Sequence, residues 1–463
     1  MEKDKIMYEK IILISLDTLR NDCLGVAPLK RYESLYKNTI KPNTSLLDKI
    51  ASEGVYFSNC ISAAPYTSAS HGAIFSGQWP LNNGLYEIYN QPISAKLIFE
   101  YFKDFGYKTI MNVEFPFIIG DYLNLKKGVD QYFIDDTDSA LEQMTEKSVS
   151  FFHFAGIHYP YGFHKYKFGK EDYVKKVEKL EHELGIKEKR FSDKLVEAYY
   201  DERDLDLLMR YKNIIRFLID NKKYEQLFNL YLEGIDYFLN HRFDKFWNSL
   251  MNKIKDQNYL IVIFSDHGEE WSDDSEGHYN SLSAGVLNVP LIFLSNDLDP
   301  KKINERIRTI DILPTILKLN GMPSGSNISG VSLDELMKTG NLSVDLECFA
   351  QCWIAKEYDK LKKVRMRMMK QNIKHLNIEH FLHKEVVYSE GNRLLREYAA
   401  NGILEKEYME KDDNFKNKSN HTEDKKKMRD LLREYNKGRL VCDFKKNNNQ
   451  GVRAMLKNLG YNV

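Results

Sequence analysis

Four side chains of this 463-residue chain have the types and spacing needed for metal-assisted chemistry. The run "IILISLD" ends in Asp17, and "IVIFSDHG" delivers Asp266 and His267. Both endings follow uninterrupted apolar runs, as expected of strands buried on two faces. Open α/β sheets gather their ligands beyond the carboxyl ends of such strands. A lone Asp after a strand is commonly a helix cap; an Asp-His-Gly there is rarer, and the two endings support one another. Two carboxylates and an imidazole suit one divalent cation (Mn²⁺, Mg²⁺, Ca²⁺ or Zn²⁺) better than a thiolate site would.

The fourth side chain lies in "APYTSASHGAIFSGQWP", residues 64–80, where Thr67, Ser70 and His71 open a short helical pattern that stops at Gly77. A threonine hydroxyl is too weak an acid to attack an ester unaided at neutral pH. Coordination to a divalent cation lowers its pKa, so Thr67 is expected both as nucleophile and as fourth metal ligand. At a helix N-terminus the free N–H groups and the dipole also favour an anion. The competing reading is that Thr67 or Ser68 simply caps the helix. His71, one turn on, either supports Thr67 or the metal or packs in the core.

The elements that must hold these residues read as a parallel α/β sheet. Besides 11–16, strands are predicted at 107–115, 148–156, 259–266 and 289–295, with "NTSLLDKIASEG" as a helix stopped by glycine. Residues 165–255 are charged and amphipathic, and are expected to form a helical layer, in part an insertion or lid. "RTIDILPTILKLNG" reads as a helix containing Pro314. Beyond residue 340 the pattern changes to short runs ("VDLECFAQCWIA", "KVRMRMMKQ", "NIKHLNIE", "EVVYSE") and a last helix, "EDKKKMRDLLREYNKG". The expected domains are therefore 1–340, a catalytic α/β unit, and 341–463, a small antiparallel subdomain. Only the stretch "EKDDNFKNKSNHTEDKKK" has the composition of disorder.

Lys plus Arg and Asp plus Glu each number 67, which leaves a net charge near zero. That excludes nucleic acid or an anionic membrane as the main partner on electrostatic grounds. The first apolar run is too short for a signal peptide, and no segment is long enough to be a membrane helix. Five scattered cysteines, Cys23, Cys60, Cys348, Cys352 and Cys442, point to a reduced, cytoplasmic protein. "ECFAQCW" alternates like a strand and lacks a second ligand pair, so packing explains its cysteines best.

Taken in order, these segments resemble the sulfatase branch of the alkaline phosphatase superfamily over nearly the whole chain. Residues 67–77 resemble the sulfatase nucleophile motif Cys-x-Pro-Ser-Arg followed by Thr-Gly, with Thr67 in the cysteine place, Ser70 in that of serine and His71 in that of arginine. "LISLDTLRND" and "FSDHGEE" resemble the two metal strands. "HFAGIHYPYGFH" resembles the substrate-histidine loop, which implies His158 as a catalytic and substrate-binding residue. "GHYNSLSAGVLNVPLIF" places His278 where arylsulfatases carry a substrate-contacting lysine, and His71 joins them as an implied substrate contact. The substrate so implied is a small-molecule or glycan-linked ester.

The departures shape the expected chemistry. Sulfatases oxidise the motif cysteine or serine to formylglycine, but threonine cannot give that aldehyde because its β-carbon already bears a methyl group. Thr18 stands where a second adjacent aspartate is usual, Ala69 replaces the motif proline, and Asn112 and Glu114 replace the Lys-x-His element. A threonine nucleophile resembles phosphoglycerol and phosphoethanolamine transferases and the superfamily's phosphodiesterases. Gly156 occupies the place of an extra aspartate that a two-metal site would want, which favours one ion. The expected function is thus metal-dependent hydrolysis of phosphate diesters through a phospho-threonine intermediate. A transferase, a sulfuric ester hydrolase and an inactive family member remain as alternatives. His153, in an apolar run, reads as a buried strand histidine.

Overall fold

The computed structural model describes residues 8–438 apart from 89, 117, 145–146, 160, 163–170, 187–201, 343–344, 356–379, 412–413 and 419–421. Its centre is a sheet in which β1 (Lys10–Leu16) lies between β5 (Ser148–Phe154) and β6 (Tyr259–Phe264), parallel to both. β3 (Lys108–Val113) and β4 (Gln131–Ile134) continue the parallel part beyond β5. On the other side a later strand, Asn288–Leu294, runs antiparallel between β6 and β2 (Val55–Ile61). The sheet is therefore mostly parallel with one reversed strand, and an apolar run buried on both faces carries no mark of its direction.

Side-chain alternation in β1 divides the core in two. Ile12, Ile14 and Leu16 face one layer with Phe152, Phe154, Ile261 and Ile263. Ile11 and Leu13 face the other with Phe151, Val262 and Phe264. The first layer is closed by the helices Glu202–Asp220, Tyr224–Phe238 and Asp244–Ile254, which bury Tyr211, Leu218, Tyr231, Phe238, Phe246 and Leu250 against the sheet. These helices cover a face of the sheet. The second layer holds α2 (Thr67–Ser76), Ile98–Lys103 and Ile312–Leu319, the last containing Pro314 in its first turn, where a missing N–H costs nothing.

A five-stranded antiparallel sheet follows, beginning at Cys348–Ala355 and His380–Ser389 and continuing through Asn392–Tyr398, Leu404–Lys411 and Asn414–Lys418. One of its faces packs Val386, Tyr388 and Leu395 on Tyr66, Ala69 and Leu282 of the main unit. The other receives Met428 and Leu432 of the last helix, Thr422–Lys437. Much of the stretch with a disordered composition is thus strand and helix. The runs at 363–379 that read as strands lie outside the described residues. Among the described residues no helix is long and apolar enough to cross a membrane, and four cysteines are free and buried.

Candidate active site

Register brings the site together. Leu16 pairs with Phe154 and Ser15 with Phe264, so β1, β5 and β6 end level with one another. Asp17, Asp266 and His267 leave those ends at one edge of the sheet, each fully buried. One ligand atom from each lies within 4.8 Å of the others, and this is the one such cluster among the described residues.

Hydrogen-bond accounting shows what the cluster is built to hold. His267 Nδ1 lies 3.1 Å from the Gly268 carbonyl, which can only accept, so Nδ1 carries the proton and Nε2 turns a lone pair inward. That Nε2 lies 3.5 Å from Asp266 Oδ2 and 3.9 Å from Asp17 Oδ1. Neither of those two carboxylate oxygens has a hydrogen-bond partner. Two buried carboxylate oxygens without hydrogen-bond partners and an imidazole nitrogen, all facing one point, fit a divalent cation. Burial and the neighbouring Asp266 push the Asp17 carboxyl well above its ordinary range. Burial acts upward on Asp266 too, but His267, His71 and His153 together hold it below.

The other carboxylate oxygens are held by the chain. Asp17 Oδ2 accepts from His153 Nε2 at 3.1 Å. Asp266 Oδ1 accepts from the amides of His267 (3.0 Å) and Thr18 (3.3 Å). Thr18 adopts φ +65, a conformation a β-branched residue reaches only under constraint. Its hydroxyl turns away, donating to the Asp17 carbonyl at 2.7 Å, so Thr18 contributes a backbone donor and no ligand. Ser62 and Ser70 both donate to the Asp266 carbonyl, which gives Ser70 a scaffolding role.

Thr67 is the first residue of α2, with Tyr66 extended before it, and its Oγ1 lies 3.3 Å from His267 Nε2. The hydroxyl therefore borders the same point as the ligand atoms, at a helix N-terminus. His71 occupies a different place from the expected substrate contact. It is fully buried beneath the cluster, its Nδ1 donating to the Thr67 carbonyl at 2.7 Å and its Nε2 accepting from Ser15 at 2.9 Å. Burial lowers its pKa to about 4, so this neutral ring supports α2 and the Asp266 side and does not reach a substrate.

His158 and His278 lie at the open side. The His278 ring is 4.2 Å from that of His267 and 5.4 Å from that of His158, centroid to centroid. His278 Nδ1 donates to Glu269 Oε1 at 3.0 Å, with the carboxylate almost wholly buried, so Nε2 is the free face of that ring. The His158 loop is held from below. Ala155 N–H donates to Glu114 Oε2 at 2.8 Å, and Arg242 pairs with Glu114 and with Asp135. A Cβ on Gly156 would fall 2.0 Å from Phe238, so no aspartate or other side chain fits there.

Sequence reasoning did not find His153, Glu269, Tyr231 or the buried Arg20 as supports of the site. His153 alone left a usable signal, a histidine inside an apolar strand, though only sheet order reveals that β5 neighbours β1. Burial sets its pKa to about 4, so it meets Asp17 as a neutral donor. Arg20 forks onto Asp22 at 2.8 Å through both Nε and Nη2, and its Nη1 binds the Glu269 carbonyl at 3.0 Å.

A sulfatase of Formosa agariphila is 25% identical over 121 residues, 26% of this chain and 24% of the relative, so the chain spans about a quarter of that relative's length. Among solved structures, BT4656 in complex with its substrate D-glucosamine-2-N,6-O-disulfate superposes with a TM-score of 0.62 at 16% identity, covering 93% of this chain and 98% of that one. Phosphonate monoester hydrolase from Silicibacter pomeroyi gives a TM-score of 0.59 at 14% identity, covering 94% and 95%. At these identities the two structures establish the shared fold. The family model described as Sulfatase matches residues 9–322, from the start of β1 past the Asp266 strand, and the chain belongs to the sulfatase family.

Proposed function

We propose that this chain is a metal-dependent hydrolase of monoanionic esters in which Thr67 is the nucleophile. The observation that carries the reading is the convergence of Asp17 Oδ1, Asp266 Oδ2 and His267 Nε2, the two oxygens without hydrogen-bond partners, beside the Thr67 hydroxyl. A divalent cation held by these groups would lower the pKa of a neighbouring hydroxyl and offset the charge of the ester.

The roles of the chain's own residues follow from their hydrogen bonds. Thr67, deprotonated beforehand to bulk water, attacks the central phosphorus or sulfur in line through Oγ1, and the ester oxygen leaves on the opposite side. His278 Nε2 protonates that oxygen, with Glu269 on Nδ1 holding the ring's orientation and its transient positive charge. His158 binds a peripheral oxygen. The first N–H groups of α2 complete an electropositive edge. Water then attacks the covalent intermediate, passes its proton to His278 and frees Thr67.

Charge supports a monoanion. Arg20 is committed to Asp22 and Glu270, and Arg242 to Glu114 and Asp135. Neither is spare for a doubly charged group, whereas a phosphodiester, a phosphonate monoester and a sulfate monoester each carry one charge. The similar structures include proteins named for sulfated substrates as well as a phosphonate monoester hydrolase. Thr67 favours phosphorus within this class. A sulfated threonine has no second hydroxyl on its β-carbon through which to expel sulfate, so its release would need direct attack on sulfur.

The test is an activity panel with Mn²⁺, Mg²⁺, Ca²⁺ and Zn²⁺ in turn, against a phosphodiester, a phosphonate monoester, a sulfate monoester and a phosphate monoester. Metal-dependent turnover of a monoanionic ester, faster than that of the phosphate monoester, is expected. Preference for the dianion would contradict the charge argument, and absence of turnover with metal bound would favour an inactive family member.

A further inference from the structure

The helix Tyr224–Phe238 reaches the turn after Asp17 through the Tyr231 hydroxyl. The Tyr231 hydroxyl, fully buried, lies 2.7 Å from the Thr18 carbonyl and 3.0 Å from the Arg20 amide nitrogen. The carbonyl can only accept and the amide can only donate, so the hydroxyl donates to Thr18 and accepts from Arg20. The first anchor is the carbonyl of Thr18 itself, a residue at φ +65, and only Leu19 lies between the two. Threonine does not hold that conformation by preference, since its Cβ crowds the backbone there. The same peptide turn aims the Thr18 amide at Asp266 Oδ1, 3.3 Å away, and follows directly on Asp17.

We infer that Tyr231 is a positioning residue for the metal cluster, its hydroxyl holding Thr18 in the left-handed conformation that sets Asp17 and Asp266 against one another. This rests on the proposed metal site. Without the hydroxyl, two buried backbone groups lose their partner and Thr18 can relax toward negative φ. Its amide then leaves Asp266, and the carboxylates lose their fixed separation. Partners at this remove from a metal commonly change affinity by about 10–100-fold when removed.

The experiment measures Mn²⁺ affinity of the full chain, by the electron paramagnetic resonance signal of unbound Mn²⁺, for four proteins. Tyr231→Phe should bind Mn²⁺ about 10-fold or more weakly than the wild type. Tyr161→Phe is the control. That buried ring packs 5.6 Å from Tyr231, and its hydroxyl has no hydrogen-bond partner, so affinity should not change. Thr18→Gly combined with Tyr231→Phe should recover much of the loss, because glycine enters positive φ without the Cβ penalty. A general loosening of the core would not be rescued at Thr18. Unchanged affinity in Tyr231→Phe, or no rescue by glycine, overturns the inference and leaves the metal site standing. A wild-type protein that takes up no Mn²⁺ overturns both.

Discussion

His153 lies on β5 and Asp17 directly follows the neighbouring parallel β1, and the imidazole donates to Asp17 Oδ2 at 3.1 Å while Asp17 Oδ1 is left without a partner. One oxygen of the carboxylate is thereby tied down so that the other faces the cluster. His153→Phe keeps the ring-sized volume beside Phe151 and Phe115 but removes the donor. Metal affinity should fall about 10–100-fold, read by isothermal titration with Mn²⁺. An unchanged affinity would show that Asp17 needs no such support.

Asp17 and Asp266 are buried together, and the consequence for stability depends on the metal. With its folded pKa raised by burial and by Asp266, Asp17 contributes stability that is present below the ordinary carboxylate pKa of about 4 and lost as pH rises through the folded value. At neutral pH the metal-free protein therefore carries a penalty that Asp17→Asn removes. The variant should melt higher than wild type in chelator, and lower than wild type in saturating Mn²⁺. The same order of melting temperatures under both conditions would argue against a cation site.

His158 is assigned to the substrate, so His158→Ala should lower turnover about 10²-fold or more while leaving metal content intact. Metal analysis of the purified variant separates the cases. Loss of bound metal would move His158 into the ligand set and favour a two-ion site, which the packing of Gly156 against Phe238 opposes.

How far the site could be read in advance follows from what each element needed. β1 and β6 were legible because strands buried on both faces are continuous apolar runs, and the residue after each run is at the sheet edge by construction. α2 was legible because Gly77, at φ +62, stops it. The reversed direction of Asn288–Leu294 was not, since its neighbours decide it. Leu404–Lys411, "LEKEYMEK", lies between Asn392–Tyr398 and Asn414–Lys418 with little apolar surface, so neither its period nor its pairing shows in the residues. Supports such as Tyr231 for Thr18 join residues more than two hundred positions apart, and no local pattern records that proximity. His71 was found in the motif with its role left open between support, packing and substrate contact, because helical spacing locates a residue without saying which face is roofed over.

The central claim is that Thr67 is the attacking group. Thr67→Ala should abolish turnover and leave the fold unchanged, since it deletes a hydroxyl and a methyl at the first turn of α2. Thr67→Ser should keep partial activity, its hydroxyl reaching the same point without the methyl that restricts its rotamer. The most direct measurement is the mass of the peptide containing Thr67 after brief turnover of a phosphodiester or phosphonate monoester and an acid quench. The account predicts that peptide with the mass of the transferred phosphorus group added, on Thr67, and absent from Thr67→Ala. An unmodified peptide during brisk turnover, or full activity in Thr67→Ala, would contradict it.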